Sequence, residues 1–122
     1  MKLDITDREM DIMNVIWERE KVSAQEIAAY FLEPMQGGYN KNTTYTFLKR
    51  LIEKGAIKRI DPGFFCVAIC SREEVQYEKT KSFVEKVYQG SFRQLFVQFA
   101  QSEKLGKQEI DELKKILEES QV

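Results

Sequence analysis

The sequence predicts a mainly α-helical protein that carries one small β-hairpin. Along most of the 122 residues, apolar side chains recur at every third or fourth position, which is the period of an amphipathic helix. Between residues 56 and 69 the period changes to two, on either side of a segment that contains Pro and Gly. Capping motifs precede several of the helical segments. We therefore expect three helices, a hairpin and then further helices.

The first two helices begin at capping boxes. Thr6-Asp7-Arg8-Glu9 predicts a helix to about Glu18, because the Thr hydroxyl can accept from the third helical amide while the Glu reaches back to the cap. Ser23-Ala24-Gln25-Glu26 repeats the motif and predicts a second helix that ends before Pro34. Lys21-Val22-Ser23 is a candidate third strand beside the hairpin.

The third helix carries the clearest functional signal. Asn40 is its predicted N-cap, the helix runs from Lys41 to Lys54, and Gly55 ends it in a left-handed conformation. Lys and Arg on its outward face can neutralise phosphates, while Asn and Thr can contact base edges in the major groove of DNA. A solvated polar face without a ligand is the alternative. The outward residues are Lys41, Asn42, Thr43, Thr46, Lys49 and Arg50.

The distribution of charge supports the DNA interpretation of this face. Residues 41–60 contain six Lys or Arg and one Glu, whereas the whole chain has a net charge of −1. The near-neutral total excludes an indiscriminate polycation, and the local concentration of basic residues indicates a selective binder of nucleic acid. A basic helix that only balances an acidic neighbour is the alternative.

A β-hairpin follows the third helix. Its strands, Ala56–Ile60 and Phe64–Ile69, flank Asp61-Pro62-Gly63-Phe64, where Pro and Gly suit the centre of a type II turn. The second strand is apolar on both faces, which favours a central position in a sheet. Lys58 and Arg59 point to opposite faces, so at most one contacts DNA beside the third helix, and Arg59 is the candidate. Three helices followed by a hairpin indicate a winged helix-turn-helix.

Residues 71–122 predict three further helices, which we assign to dimerisation, while residues 1–70 bind DNA. The capping box Ser71-Arg72-Glu73-Glu74 starts the fourth helix, Gly90 ends it, and Gly106 precedes the sixth. These short helices cannot easily bury their apolar stripes within one chain, so a second copy of the chain is the expected partner. The candidate dimerisation residues are Phe83, Val87, Phe92, Leu95, Phe96, Phe99, Ile110, Leu113 and Leu117.

Catalysis, cofactors and metal binding are not expected. The chain has no His, which excludes a Ser-His or Cys-His nucleophile pair, and it has no phosphate-cradling Gly-rich loop. Cys66 and Cys70 would lie about 13 Å apart along a strand, too far for a disulfide, and are expected to be buried structural thiols. Residues 1–20 lack a secretory signal and no apolar run approaches the ~20 residues of a membrane span, so we expect a cytoplasmic protein.

Motifs spread over nearly the whole chain form a specific combination. They are Ile5-Thr6-Asp7, Val15-Ile16-Trp17, Val22 to Ile27, Thr43 to Leu51, Lys54-Gly55, Lys81-Ser82-Phe83, Tyr88-Gln89-Gly90-Ser91, Glu103-Lys104-Leu105 and Ile110-Asp111-Glu112-Leu113. Together they resemble the penicillinase and methicillin-resistance repressors (BlaI/MecI type), a family that also includes copper-responsive repressors. The resemblance implies a bacterial homodimeric transcriptional repressor that binds a palindromic DNA operator and controls a resistance or stress operon.

The resemblance also implies a candidate mode of regulation. In family members that respond to β-lactams, a membrane-bound metalloprotease sensor triggers cleavage at an Asn-Phe bond in the fifth helix. The matching dipeptide here is Gln98-Phe99, the candidate proteolytic switch, in which Gln replaces Asn. Copper-responsive members carry a C-terminal Cys cluster, and Ser120-Gln121-Val122 contains none. A winged-helix module that docks an acidic protein partner is the alternative function.

Overall fold

The computed structural model describes residues 3–102 and 105–120, in two units whose boundary lies between Thr80 and Lys81. Glu103 and Lys104, which belong to one of the motifs above, lie outside the described residues. The elements are α1 (Asp7–Arg19), β1 (Val22–Ser23), α2 (Ala24–Leu32), a 3-10 helix (Pro34–Gln36), α3 (Lys41–Glu53), β2 (Ile57–Ile60), β3 (Phe65–Ala68), α4 (Arg72–Val87), α5 (Phe92–Ser102) and α6 (Lys107–Glu119). This order confirms the predicted fold class.

The first helix begins at a complete capping box. The amide of Glu9 donates to the Thr6 hydroxyl at 3.2 Å, and the amide of Thr6 donates to Oε1 of Glu9 at 2.9 Å. Ile5, the residue before the cap, is buried in the core. Because the motif satisfies two orphan amides at once, the start of α1 follows from four consecutive residues.

The two serine motifs form only half of the predicted capping box. In each, the Ser hydroxyl accepts a hydrogen bond from the amide of the Glu three residues later, at 3.1 Å. The carboxylates of Glu26 and Glu74 then accept from the Ser hydroxyls instead of from the cap amides. Ser23 is at the same time a residue of β1, where it lies opposite Phe65 of β3.

β3 is the central strand of a three-stranded antiparallel sheet with the order β1-β3-β2. Cys66 of β3 lies opposite Val22 on one side and opposite Arg59 on the other. The structure thus confirms both the central position predicted for the second hairpin strand and the third strand predicted near Val22. Both hairpin strands are shorter than predicted.

The hairpin loop has at Gly63 the positive φ that a type II turn requires at its third residue. The peptide bond between Asp61 and Pro62 is cis. Two consecutive residues, Gly63 at +100° and Phe64 at +48°, have positive φ. A positive φ is ordinary for Gly and rare for an aromatic residue, so Phe64 adopts a conformation that its type does not predict.

One hydrophobic core joins α1, α2, α3, the sheet and the start of α4. Val75 of α4 is buried in this core, which explains why the first unit continues beyond the hairpin. The assignment of DNA binding to residues 1–70 and dimerisation to residues 71–122 stays a prediction. Large core residues that are almost completely buried are Ile12, Met13, Ile16, Ile27, Leu48, Leu51, Ile57 and Val75.

Candidate nucleic-acid interface

The third helix has the boundaries that its flanking residues predict. The Oδ1 atom of Asn40 accepts a hydrogen bond from the amide of Asn42 at 2.7 Å, which caps the helix. Gly55 follows the C-cap with φ of +78°, the left-handed conformation that ends a helix. Thr44, Leu48 and Leu51 are buried, so α3 is held against the core along one face and presents its opposite face outward. Thr44 and Leu48 lie one helical turn apart, as the predicted stripe requires.

The predicted reading face is the outward face of α3. Its residues Lys41, Asn42, Thr46, Lys49 and Arg50 are exposed, and Thr43 is half-buried. At about 100° per residue, Asn42, Thr43, Thr46, Lys49 and Arg50 share the side of α3 that faces away from the core. Lys41, at the first helical position, is exposed but lies toward α2, where it lines a shallow pocket with Ala28 and Leu32.

The hydroxyl of Thr46 is already oriented by the helix itself. It donates a hydrogen bond to the carbonyl oxygen of Asn42 at 2.9 Å. Its proton is therefore used within α3, and the oxygen can act toward a base only as an acceptor, for example from the amino group of adenine or cytosine. The methyl group remains available for apolar contact with thymine.

Lys54 does not belong to this face, although it contributes to the basic segment in the sequence. Its Nζ donates to Oε1 of Glu9 and to the carbonyl oxygen of Asp4, both at 2.6 Å. Glu9 is only 1% exposed, so this is a buried carboxylate paired with a partly buried ammonium group. Lys54 therefore fixes the end of α3 to the start of α1 instead of facing a ligand.

Opposing effects of burial and of the Lys54 pair set the pKa of Glu9. Burial raises the pKa of the carboxyl, but hydrogen bonds from Lys54 and from the backbone of Thr6, together with the charge of Lys54, outweigh it. The net effect holds the pKa below its usual value, so Glu9 is ionised at neutral pH.

The hairpin of β2 and β3 is the wing of this fold, and it carries Arg59 in contact with two neighbouring side chains. Its Nε donates to both carboxylate oxygens of Asp61, at 3.1 and 3.0 Å, and its guanidinium carbon lies 3.8 Å from the centroid of the Phe64 ring. The Phe64 ring in turn meets the ring of Tyr45 in α3, with centroids 5.9 Å apart. Lys58 is exposed as well. Asp61 and Phe64 are neighbours of the site that the sequence pattern did not identify, because the pattern indicated only a turn and a strand there.

The two cysteines are free and buried, as predicted for structural thiols. Burial raises the pKa of the Cys66 thiol to about 11, against a smaller opposite effect of Arg59, and burial also raises the pKa of Cys70. Within residues 3–102 and 105–120, no group of three or more His, Cys, Asp and Glu side chains is arranged to hold a metal ion. In the same part of the chain no helix is long and apolar enough to cross a membrane.

The second unit exposes the apolar side chains that were assigned to dimerisation. Eight of the nine candidates are exposed, and Leu95 is half-buried. Val97 and Ile116 are exposed apolar residues that the sequence analysis omitted, and the spacing of Ile116 from Leu113 would have identified it. Gln98 and Phe99 lie within α5, where the Tyr88 hydroxyl donates to Oε1 of Gln98 at 2.7 Å. The roles of all these residues stay predictions. The exposed candidates are Phe83, Val87, Phe92, Phe96, Phe99, Ile110, Leu113 and Leu117.

A helix-turn-helix followed by a hairpin, with a polar and basic face on α3, places the first unit in the class of winged-helix DNA-binding domains. The family model described as "Penicillinase repressor" matches residues 5–119, and the chain belongs to this family of transcriptional repressors. The chain is also similar to a solved structure, described as the solution structure of the DNA binding domain of the repressor BlaI. The match has a TM-score of 0.55 and 25% identity, and it covers 61% of this chain and 90% of that one.

The relatives have similar lengths. The methicillin resistance regulatory protein MecI of Staphylococcus aureus (strain N315) is 33% identical over 116 residues, which are 93% of this chain and 93% of that protein. The penicillinase repressor of Staphylococcus aureus is 31% identical over 118 residues, covering 95% and 92%. The penicillinase repressor of Bacillus licheniformis is 31% identical over 117 residues, covering 94% and 90%.

Proposed function

We propose that this chain is a homodimeric repressor that binds a palindromic DNA operator through α3 and the wing and so blocks transcription of a resistance or stress operon. The observation that carries the proposal is the exposed face of α3, where basic and short polar side chains lie together on a helix held by the core. A two-fold dimer presents two such helices to major-groove half-sites that are separated by about one turn of DNA or a multiple of it.

The basic and the short polar residues of this face of α3 have different roles in the proposed complex with DNA. Lys41, Lys49 and Arg50 supply phosphate contacts, which carry affinity and its dependence on salt. Asn42, Thr43 and Thr46 supply base readout. Arg59 adds a phosphate contact from the wing.

Electrophoretic mobility shifts against genomic fragments test this function. A dimer that neutralises about six phosphates loses roughly a thousandfold in affinity between about 50 and 200 mM salt. We expect saturable, sequence-selective shifts with that dependence on salt. The absence of any shift at low salt would refute the proposal and favour a winged-helix module that docks an acidic protein partner.

Thr46 provides the test of base readout. Thr46→Ala removes both the accepting oxygen and the methyl group, so it should weaken the operator complex by about tenfold while leaving random duplex unaffected. Thr46→Ser keeps the oxygen and Thr46→Val keeps the methyl, so their comparison shows which group reads the base. Thr80→Ala, an exposed Thr on α4, is the matched control. Equal losses on operator and random duplex would make Thr46 a phosphate-positioning residue instead.

The dimer is tested through its apolar faces. Phe96 is 56% exposed in α5, an unusual exposure for a large aromatic side chain unless a partner covers it. Phe96→Asp should produce monomers in sedimentation velocity and abolish operator binding, because it places an unpaired charge in the proposed interface. Gln101→Asp, which adds the same charge at an exposed polar position of α5, is the control. An unchanged dimer in Phe96→Asp would exclude Phe96 from the interface.

Proteolytic control at Gln98-Phe99 is a separate part of the proposal. Both residues lie inside α5, so a protease can bind and cleave the peptide bond between them only after this helix unfolds locally. Co-expression with a membrane metalloprotease sensor from a β-lactam-responsive system tests it directly. Cleavage at this bond with loss of repression supports the switch, and an intact chain under induction excludes it.

A further inference from the structure

We propose that Phe64 is a positioning residue of the DNA interface, because its ring holds Arg59 ready for a phosphate and joins the wing to α3. The inference rests on the proposed function, since it requires that Arg59 meets DNA. It concerns a residue of the hairpin loop that neither the family assignment nor the basic pattern of the sequence identifies.

The first observation is how Arg59 is held. Its guanidinium carbon lies 3.8 Å from the centroid of the Phe64 ring, within the range of a strong cation–π contact. Its Nε donates to both oxygens of Asp61. Within the described residues, none of the hydrogen bonds of Arg59 is donated by its terminal amino groups. Those groups can therefore donate to a phosphate without breaking either restraint.

The second observation is how Phe64 itself is held. Its carbonyl oxygen accepts a hydrogen bond from the amide of Ala24, at the start of α2, at 2.8 Å. Its ring meets the ring of Tyr45 at an angle of 67°, an edge-to-face contact with α3. Phe64 therefore contacts both Arg59 and α3, because Tyr45 belongs to α3 and directly precedes Thr46.

The third observation is the backbone of Phe64. Its φ of +48° lies in the left-handed region, where bulky residues are rare. Such a conformation persists only where the surroundings enforce it, and it is enriched at functional sites. Here the enforced conformation places an aromatic ring between Arg59 and Tyr45. A Gly or Asn at this position suits the backbone better and supplies no ring.

The mechanism that follows is preorganisation. A free Arg side chain loses considerable rotamer freedom when it binds a phosphate, and this loss opposes binding. Stacking on Phe64 restricts Arg59 before DNA arrives, so less freedom is lost in the complex. The contact with Tyr45 keeps the restricted guanidinium at a constant place relative to α3, so phosphate contact and base readout occur together.

A double-mutant cycle in the full-length protein tests the inference. Phe64→Leu keeps an apolar side chain and removes the ring, and it should weaken operator binding by about fivefold. Arg59→Ala should weaken binding by about tenfold and reduce the slope of log affinity against log salt by about 0.9 for each half-site. The combined variant should bind as Arg59→Ala does, because Phe64 acts through Arg59.

Controls separate positioning from a general effect on the fold. Phe64→Tyr keeps the ring and should restore binding to within about twofold. Phe65→Leu alters the neighbouring aromatic residue, whose ring lies under Lys21 at 5.0 Å, and should leave binding unchanged. Without DNA, the nitrogen-15 relaxation of Arg59 Nε should show a more mobile side chain in Phe64→Leu. If Phe64→Leu fails to fold, Phe64→Met replaces it in the cycle.

Four other results of the double-mutant cycle would contradict the proposal, each at a different step. If Phe64→Leu weakens binding equally with and without Arg59, Phe64 acts on the fold alone. If Phe64→Leu has no effect while Arg59→Ala weakens binding, Arg59 needs no positioning. If Arg59→Ala binds the operator with the same affinity and the same dependence on salt as the original protein, the wing makes no phosphate contact. If the original protein binds no operator, the proposed function fails first.

Discussion

Replacement of Lys54 by Met tests the buried ion pair that joins α3 to α1. The substitution keeps the length and apolar character of the side chain and removes the ammonium group that donates to Glu9 and to the carbonyl oxygen of Asp4. Glu9 is 1% exposed, so its carboxylate would remain buried with only the Thr6 amide as a hydrogen-bond donor. We expect a marked loss of stability because a buried charge without a partner is costly.

The magnitude follows from the exposure of the two partners. Removal of one member of a buried pair typically costs 3–5 kcal/mol, and the Lys54 side chain is 29% exposed, so water can partly solvate the carboxylate after the substitution. We therefore expect the free energy of unfolding to fall by about 3 kcal/mol near neutral pH. Lys58→Met, at an exposed position of β2, should change it by less than about 0.5 kcal/mol.

The dependence on pH gives a sharper test because its sign reverses. In the original protein the folded pKa of Glu9 lies below the unfolded value near 4.5, so its stabilisation is present above that value and is lost as pH falls through the folded pKa. In the Lys54→Met variant the lowering effects of Lys54 are gone, and we expect burial, the largest single effect, to raise the folded pKa of Glu9 above its unfolded value. The folded variant then binds the proton more tightly, and it gains stability as pH falls from about 7 toward 5.

Urea denaturation at several pH values and one protein concentration measures both effects. The double variant Glu9→Gln/Lys54→Met removes the charge as well as its partner, so it should recover stability relative to Lys54→Met and lose the reversed pH dependence. A Lys54→Met variant within about 1 kcal/mol of the original protein, with the same pH dependence, would refute the reasoning.

Three further predictions concern stability and reactivity. Thr44→Val should raise the free energy of unfolding by about 1 kcal/mol, because Oγ1 of Thr44 is buried without a hydrogen-bond partner within the described residues; Thr46→Val is the exposed control, and an equal effect of both would contradict the explanation. Trp17→Phe should lower it by about 1 kcal/mol, since the indole Nε1 donates to the carbonyl oxygen of Cys70 at 2.9 Å, and unchanged urea denaturation would contradict this. Cys66, whose burial raises its pKa to about 11, should react with a thiol reagent near pH 8 only as fast as the protein opens; rapid labelling of the folded protein would contradict it.

Local motifs explain which parts of the fold were predictable. The start of α1 is encoded by Thr6 and Glu9, and the boundaries of α3 by Asn40 and Gly55, because each motif satisfies backbone groups within a few residues. The central position of β3 was predictable from its apolar character on both faces, since only a strand covered on both faces tolerates it. The polar face of α3 followed in the same way from the helical period.

Other features depended on residues far apart in the chain. Ser23, the N-cap of α2, is also a residue of β1 and lies opposite Phe65 of β3, which no local motif records. Lys54 counted toward the basic segment, yet it binds Glu9, 45 residues earlier. Phe64 was counted in a strand, and instead it adopts a left-handed conformation between Arg59 and Tyr45.

The sequence by itself therefore determined the helices, the hairpin and the face of α3 that points outward, because hydrogen-bond caps and side-chain periodicity act over a few residues. Only the tertiary structure decided how the charges are used. It withdrew Lys54 into a buried pair and placed Arg59 between a carboxylate and an aromatic ring. The physical reason is that the energy of a charge depends on burial and on its neighbours, which are set by the packing of distant segments.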